Sequence, residues 1–200
     1  MTSSRTYIGF GIAGAILTCM YFEYIMLLYV ILNLAIVYDT WYMTYRLNVD
    51  LVIDVNFFVL MTIFNYYLLM TYQQNPLFLL KIAFITQLSD VYQFIAGSLF
   101  GNNKIGWISK NKSYEGYIGG YILTILTFVP IQVLFDRQCT SIQMCFNNCS
   151  MIYLLGVIGG LISSFVKRSI NIKDYSNLLG DHGGWVDRID SIILPILMLK

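Results

Sequence analysis

Side chains that could bind a metal and a polyphosphate are concentrated between Ser164 and Asp190, in a chain that is otherwise mostly apolar. Carboxylate oxygens suit Mg²⁺, and cationic side chains beside a glycine pair suit phosphate groups. The charged residues and the histidine of this stretch are Lys167, Arg168, Lys173, Asp174, His182, Asp187, Arg188 and Asp190. The stretch therefore predicts a site for a metal and a polyphosphate.

The spacing of Asp187 and Asp190 favours a cation between them. Residues three apart lie on one face of a helix, and two neighbouring carboxylates repel each other unless a cation intervenes. Asp174 could complete an oxygen site for Mg²⁺. The alternative is a set of salt bridges at the membrane surface with Arg188, Arg168 and Lys173. Spacing alone leaves both interpretations open.

The remaining groups of this stretch have two interpretations each. His182 is the single histidine, and a lone histidine is more often structural than catalytic. Gly183 and Gly184 allow either close backbone approach to a phosphate or a simple turn. Lys167 and Arg168 directly follow an apolar run. They could anchor the helix at the membrane surface, or they could bind the phosphates of a substrate.

Asp90 lies deep within an apolar run. A carboxylate inside a membrane is costly and by default marks function. Lys81 is more than two helical turns earlier, which is too far for a direct bond within one helix. We therefore predict a functional role for Asp90.

The composition places the chain in a lipid bilayer. Hydrophobic residues make up 58% and charged residues 12% of the 200 residues, whereas soluble domains have about 25% charged residues. Such a chain cannot cover a globular surface with polar groups. The net charge of +1 favours neither nucleic acid nor an acidic protein as a partner. We expect an all-α integral membrane protein.

The apolar runs predict a polytopic helical bundle of about six spans plus a short C-terminal helix, since one span needs about 20 apolar residues. Pro76 is well placed to open a helix. The predicted spans are 7–38 (two spans with a turn near Glu23), 51–73, 77–100, 116–135 and 151–166, followed by 191–200. The predicted segments outside them are an interfacial stretch at 39–50 and polar loops at 101–115, 136–150 and 167–190.

Basic residues indicate the orientation, because Lys and Arg favour the cytoplasmic side. With a cytoplasmic N-terminus, loops 101–115 and 167–190 lie together in the cytoplasm, where nucleotides are. We therefore expect a multi-pass protein with an N-terminal transmembrane region at 1–80. A catalytic transmembrane region at 81–200 would carry both cytoplasmic loops.

Small residues and cysteines add two weaker expectations. The pairs Gly116/Gly120 and Gly156/Gly160 have the spacing that lets helices approach closely in lipid. The three clustered cysteines match no standard zinc pattern and cannot be assigned a pairing from sequence. They are Cys139, Cys145 and Cys149.

The charged stretch resembles the signature of the phosphatidate cytidylyltransferases, the CDP-diacylglycerol synthases. Trp185 stands where that family usually has an aliphatic residue. The matching positions are Ser164, Lys167, Arg168, Lys173, Asp174, Ser176, Leu179, Gly180, His182, Gly183, Gly184, Asp187, Arg188 and Asp190.

A second block is similar to the same family. Asp90 precedes a glycine-rich turn with Gly97, Gly101 and Lys104, and Phe94 stands where the family often has Tyr. The segment 109–116 resembles the family's S-P-x-K-[ST]-x-E-G, with lysine in place of proline at position 110. Together the two blocks cover roughly residues 86–194.

The resemblance implies a reaction of phospholipid biosynthesis, in which CTP and phosphatidate give CDP-diacylglycerol and pyrophosphate. It also implies Mg²⁺, with room for a second cation, a polar cavity within the membrane, and a homodimer. The implied metal ligands are Asp174, Asp187 and, next, Asp190. The implied catalytic residues are Asp90, Lys173, Asp174, His182, Asp187 and Asp190. The implied substrate-binding residues are Ser109, Lys112, Ser113, Glu115, Lys167, Arg168, Gly183, Gly184 and Arg188.

Two other functions fit the same sequence. One is a CTP-dependent enzyme that acts on an isoprenoid or ether lipid, as a kinase or a cytidylyltransferase. The other is a non-catalytic membrane scaffold of the same fold, although such a relative would be expected to lose its metal ligands first.

Overall fold

The computed structural model describes residues 25–106, 112–136, 139–180 and 183–199. Within these ranges the chain is built from α-helices and the loops that join them. The helices are α1 (Ile25–Arg46), α2 (Leu51–Gln74), α3 (Pro76–Phe100), α4 (Tyr114–Phe135), α5 (Ile142–Ser169) and α6 (Val186–Met198).

Four of these helices, α2 to α5, are long and apolar enough to cross a membrane. The large apolar side chains that they expose fit a lipid environment, as at Phe94 and Leu126. The predicted all-α integral membrane protein is confirmed. The short C-terminal helix is α6, which begins at Val186 and not at residue 191. The predicted polar loop 167–190 is therefore too long at both ends, because α5 also continues to Ser169. The first predicted span and Glu23 lie outside the described residues.

The helix ends follow local sequence signals. Pro76 opens α3 as predicted, after Asn75 caps the helix by accepting a hydrogen bond from the Phe78 amide. Ser113 caps α4 in the same way, through the Gly116 amide at 3.1 Å. Pro needs no amide partner in the first turn, and the caps satisfy donors that the helix leaves free.

The prediction of a polar loop over 136–150 is wrong beyond residue 141, because α5 already begins at Ile142. The Ser141 hydroxyl accepts a hydrogen bond from the Met144 amide at 3.2 Å and caps this helix. Cys145 and Cys149 are fully buried on its inner face. Tertiary burial thus overrides the polar composition of this turn. Likewise α1 continues through most of the predicted interfacial stretch, to Arg46.

Cys139 and Cys145 form a disulfide, with their Cα atoms 5.5 Å apart. Cys149 is a buried free thiol. The structure therefore supplies a pairing that the sequence left open.

The chain divides into two compact units. The first unit comprises residues up to Met70 together with Ser169–Ile189, and the second comprises Thr71–Arg168 with Asp190–Lys200. The units are defined by contacts within the chain. The regions 1–80 and 81–200 were proposed from the sequence on functional grounds, and they stay a prediction.

Glycines allow α3 and α4 to pack closely in the second unit. A Cβ at Gly120 would lie 2.5 Å from the Gln93 Cγ, and a Cβ at Gly116 would lie 2.9 Å from the Gln93 carbonyl oxygen. A Cβ at Gly119 would lie 2.6 Å from that of Ala96. The predicted close helix packing is confirmed for Gly116 and Gly120. In the second predicted pair, a Cβ at Gly156 would lie 3.2 Å from the Thr86 Cγ2, whereas a Cβ at Gly160 would meet only the Lys112 Nζ, at 3.8 Å.

Candidate active site

The signature loop of the first unit, residues 170–185, is held by short backbone bonds in its described part. The Leu179 amide donates to the Gly183 carbonyl at 2.9 Å, and the Gly183 amide donates to the Gly180 carbonyl at 3.1 Å. Gly180 and Gly183 have φ values of +61° and +81°, which are strained for other residues. The loop conformation thus depends on these two glycines.

Asp187 ties this loop to the start of α6. Its Oδ2 accepts hydrogen bonds from the amides of Tyr175 at 2.9 Å and Gly184 at 2.8 Å. A carboxylate in the first helical turn also interacts favourably with the helix dipole. Asp187 therefore has a structural role that the sequence did not predict, beside its proposed role as a ligand.

Asp174 and Asp187 flank the same glycine. A Cβ at Gly183 would lie 2.9 Å from the Asp187 Oδ2 and 3.2 Å from the Asp174 Cβ. Two carboxylates on either side of an open backbone position suit Mg²⁺, which takes one or two carboxylates and keeps sites for phosphate oxygens. In the described part of the chain, no three His, Cys, Asp or Glu side chains gather as a metal cluster. His182 lies outside that part.

Asp39 is a residue of this unit that the sequence analysis missed. Its side chain is fully buried, its Oδ1 accepts a 2.6 Å hydrogen bond from the Ser176 hydroxyl, and its Oδ2 accepts one of 3.0 Å from the Val186 amide. Asp39 lies in α1, directly after the predicted apolar run 7–38. Its position directly after an apolar run was a signal that could have marked it.

Burial raises the pKa of Asp39 from 3.8 to about 6. The two hydrogen bonds from Ser176 and Val186 lower it, and the negative charge of Asp187 raises it further. The signature loop is therefore bonded to a carboxyl group whose pKa is raised above its usual range.

The second unit contains a cavity of about 290 Å³ that brings together residues from both sequence blocks. Four of the residues predicted for the site line it, namely Asp90, Lys112, Ser113 and Asp190. The other lining residues are Gln93, Phe94, Gly116, Tyr117, Gly160 and Ser191. Sequence reasoning did not single out Gln93, Tyr117 or Ser191 for the site.

Lys167 and Asp190 form an ion pair at 3.8 Å, and both side chains are largely buried. Lys167 thus contacts a carboxylate of the cavity wall. The alternative considered from the sequence was that the signature carboxylates form salt bridges with three other cations, Arg168, Lys173 and Arg188. The Lys173 ammonium lies 4.0 Å from Asp174 with its side chain 84% exposed, so that pair adds little. Arg168 and Arg188 are exposed.

The loop before α4 is fixed by backbone pairing. The Ile105 amide donates to the Lys112 carbonyl at 2.8 Å, and the Tyr114 amide donates to the Asn103 carbonyl at 3.1 Å. Glu115, predicted to bind substrate, accepts hydrogen bonds from the backbone and side-chain nitrogens of Asn103. Its observed contacts therefore hold the loop that presents Lys112. Ser109 lies outside the described residues.

Lys81 pairs with Asp136 at 2.7 Å, linking the start of α3 to the end of α4. The sequence analysis had excluded a direct bond between Lys81 and Asp90, and the observed partner of Lys81 is indeed a different carboxylate, that of Asp136.

Three proteins of known name are similar to this chain. The phosphatidate cytidylyltransferase of Aquifex aeolicus is 31% identical over 143 residues, which cover 68% of this chain and 52% of that protein. The phosphatidate cytidylyltransferase of Staphylococcus haemolyticus is 35% identical over 125 residues, which cover 60% of this chain and 47% of that protein. That of Staphylococcus aureus strain COL is 32% identical over the same length, with the same coverage.

The chain spans about half the length of the curated relatives that it matches. The model of the Cytidylyltransferase family matches residues 1–199, nearly the whole chain. The predicted resemblance is thereby confirmed, and the chain belongs to the cytidylyltransferase family.

Proposed function

We propose that this protein transfers the cytidylyl group of CTP to phosphatidate, giving CDP-diacylglycerol and pyrophosphate. One observation carries the proposal: a cavity within apolar helices is lined by Asp90, Lys112, Ser113 and Asp190, which the family resemblance had selected from sequence. The names of the relatives support the same reaction.

The proposed chemistry is an in-line displacement. A phosphate oxygen of phosphatidate attacks the α-phosphorus of CTP, a new P–O bond forms, and the bond to the leaving pyrophosphate breaks. Such transfers need positioning and charge neutralisation more than covalent chemistry by the protein. A phosphate monoester is already anionic near neutral pH, so no general base is required.

Cationic side chains would hold the phosphates. Lys112 borders the cavity, and the buried Lys167 is held in place by Asp190. Arg168 and Arg188 are exposed residues, and guanidinium groups bind phosphate oxygens well. Lys173 is also exposed, and its ammonium group can pair with phosphate oxygens as a single positive charge.

Asp174 and Asp187 would hold Mg²⁺ beside Gly183, with Asp190 as the next candidate ligand. When bound, the ion would neutralise phosphate charge. We propose that loops 101–115 and 167–190 face the cytoplasm, because Lys and Arg favour that side. A homodimer and a second cation remain part of the proposal from the family resemblance.

The proposal is tested with purified protein in mild detergent, labelled CTP, Mg²⁺ and phosphatidate. Asp174→Asn and Asp187→Asn should each lose at least about tenfold in turnover, since removing one charged ligand costs more than about 1.4 kcal/mol. Asp50→Asn is the matched control, because Asp50 is exposed and its one described side-chain bond is to the nearby Val52 amide.

Turnover with an ether-linked or polyprenyl lipid, but not with phosphatidate, would show that the same site acts on a different lipid substrate. A folded protein that neither binds CTP nor modifies any lipid would refute the enzyme and favour a scaffold.

A further inference from the structure

The two aspartates proposed to hold Mg²⁺ approach one point of the signature loop. The Asp187 Oδ2 and the Asp174 Cγ would lie 2.9 Å and 3.3 Å from a Cβ added to Gly183. The two aspartates stand near opposite ends of the loop in sequence. Because Mg²⁺ demands near-ideal octahedral geometry, the affinity of such a site depends on what fixes the spacing of its ligands.

The carboxylate of Asp39 contacts a neighbour of each proposed ligand. Its Oδ1 accepts a 2.6 Å hydrogen bond from the hydroxyl of Ser176, which lies two residues after Asp174. Its Oδ2 accepts a 3.0 Å hydrogen bond from the amide of Val186, directly before Asp187. The two oxygens of one planar group therefore tie the two ends of the loop to each other.

These contacts lie in a tightly packed region. Asp39, Ser176 and Val186 are 0%, 3% and 1% exposed. The Leu178 amide donates to the Ser176 Oγ at 3.1 Å. A Cβ at Gly184 would lie 2.8 Å from the Asp39 Oδ2 and 2.9 Å from the Ser176 Oγ. Because interiors packed in this way transmit small shifts, a change at Asp39 should displace the loop.

The Asp39 carboxylate acts on the site from a distance. Its side chain is fully buried, and each of its oxygens accepts a hydrogen bond from the loop region. A further bond, from the Tyr175 amide to the Asp187 Oδ2 at 2.9 Å, orients one proposed ligand from within the loop. Asp39 instead anchors both ends of the loop to α1.

We infer that Asp39 is a positioning residue for the cation site, which sets the spacing of Asp174 and Asp187 through its bonds to Ser176 and Val186. The inference rests on the proposed function, in which the two aspartates hold Mg²⁺. Residues that orient metal ligands typically change metal affinity by about 10–100-fold when they are replaced. Asp39 contacts the neighbours of the ligands, so the lower end of that range is expected.

The test measures the binding of Mn²⁺ alone to the full chain in detergent, without CTP or lipid. Mn²⁺ takes the same oxygen ligands as Mg²⁺, and the electron paramagnetic resonance signal of free Mn²⁺ gives its dissociation constant. Asp39→Ala should raise this constant about tenfold. Ser176→Ala, which removes only the contact beside Asp174, should raise it by less. Asp174→Asn should lose the binding and thereby identifies the site that is observed.

Asp39→Asn separates position from charge. The oxygen of an asparagine can accept the Val186 bond, and its nitrogen can donate to the Ser176 Oγ, so that both contacts persist without the negative charge. This variant should bind Mn²⁺ more tightly than Asp39→Ala does, with an affinity close to that of the wild type. Equal weakening in both variants would show that Asp39 acts by its charge and would overturn the positioning role.

A merely structural role predicts lower stability with unchanged Mn²⁺ affinity. Phe64→Leu, at a fully buried position of α2, should lower the melting temperature and leave the Mn²⁺ affinity unchanged. Asn177→Ala is the matched control in the loop, because it removes an exposed 3.2 Å bond to Tyr38, also in α1. Its Mn²⁺ affinity should equal that of the wild type.

The inference is overturned if folded Asp39→Ala and Ser176→Ala bind Mn²⁺ as tightly as the wild type, or if Asp174→Asn leaves the binding unchanged. If Asp39→Ala does not fold, Ser176→Ala decides the question, since it loses a single bond to Asp39. Because neither CTP nor lipid is present, a failure to make CDP-diacylglycerol would refute the proposed reaction and leave this result standing.

Discussion

The carboxylate of Asp39 in α1 accepts a 3.0 Å hydrogen bond from the amide of Val186, the first residue of α6. The same carboxylate accepts a 2.6 Å bond from the Ser176 hydroxyl. One buried side chain thus joins an N-terminal helix to two separate points of the signature loop region. The arrangement makes the geometry of the loop depend on a residue far from it in sequence.

Asp39→Ala should destabilise the protein because it removes the acceptor of two buried donors, the Ser176 hydroxyl and the Val186 amide. In the described part of the chain, the Ser176 oxygen keeps only the bond that it accepts from the Leu178 amide. The expected loss is about 1–3 kcal/mol for each of the two groups. Denaturation in detergent measures it. Asn177→Ala is the control in the same loop, since its exposed bond to Tyr38 should contribute under about 0.5 kcal/mol. Equal stability of the two variants would contradict the role of Asp39.

The raised pKa of Asp39, about 6 against 3.8, makes stability depend on pH. The folded state binds the Asp39 proton more tightly than the unfolded state, so this contribution to the free energy of unfolding is largest below about pH 4. It falls as the pH rises to about 6 and is constant above, with a total change of about 3 kcal/mol.

Melting temperatures across this range, measured with a chelator present, test that dependence. Asp39→Asn cannot titrate, so its curve should lack the decline between about pH 4 and 6. Parallel curves for the variant and the wild type would assign the pH dependence to other groups.

Gly184→Ala should displace the signature loop. The added Cβ would lie 2.8 Å from the Asp39 Oδ2, 2.9 Å from the Ser176 Oγ and 3.0 Å from the Ser176 amide nitrogen. Overpacking of this kind costs about 1–3 kcal/mol. Gly106→Ala is the matched control, because nothing lies within 4 Å of its added Cβ. An unchanged melting temperature and unchanged CTP turnover in Gly184→Ala would refute this packing.

Lys167 and Asp190 should show energetic coupling. Removing either partner leaves a largely buried charge, so Lys167→Met and Asp190→Asn should each destabilise the protein, and the double variant should lose less than the sum. A double-mutant cycle on the free energy of unfolding measures the coupling. Lys173→Met, with its exposed side chain, should change stability by under about 0.5 kcal/mol. Additivity within about 0.3 kcal/mol would contradict the pair.

The four spanning helices and four of the ten residues that line the cavity could be predicted from the sequence, because apolar length and the family signature are local features. The clustering of Asp90, Lys112 and Asp190 followed from the resemblance. The start of α5 could not be predicted, since its first turn is polar and is stabilised by the burial of Cys145 and Cys149.

The role of Asp39 was hidden for a different reason. Its partners, Ser176 and Val186, are distant in sequence, and nothing in the spacing of residues reveals a contact of that kind. The sequence also could not show that the Gln93 Nε2 and the Tyr117 hydroxyl have no hydrogen-bond partner among the described residues. The pairing of a polar residue in a span becomes evident only once the neighbouring helices are placed. Pairing is a property of the fold, and spacing predicts it only within one helix.

The most direct test of the central claim is a single incubation of the protein with phosphatidate and Mg²⁺, using CTP labelled either at the α- or at the γ-phosphate. Cytidylyl transfer predicts that the α-label enters the lipid fraction as CDP-diacylglycerol and that the γ-label leaves as pyrophosphate. Entry of the γ-label into lipid would show a kinase, and entry of neither label would contradict the account.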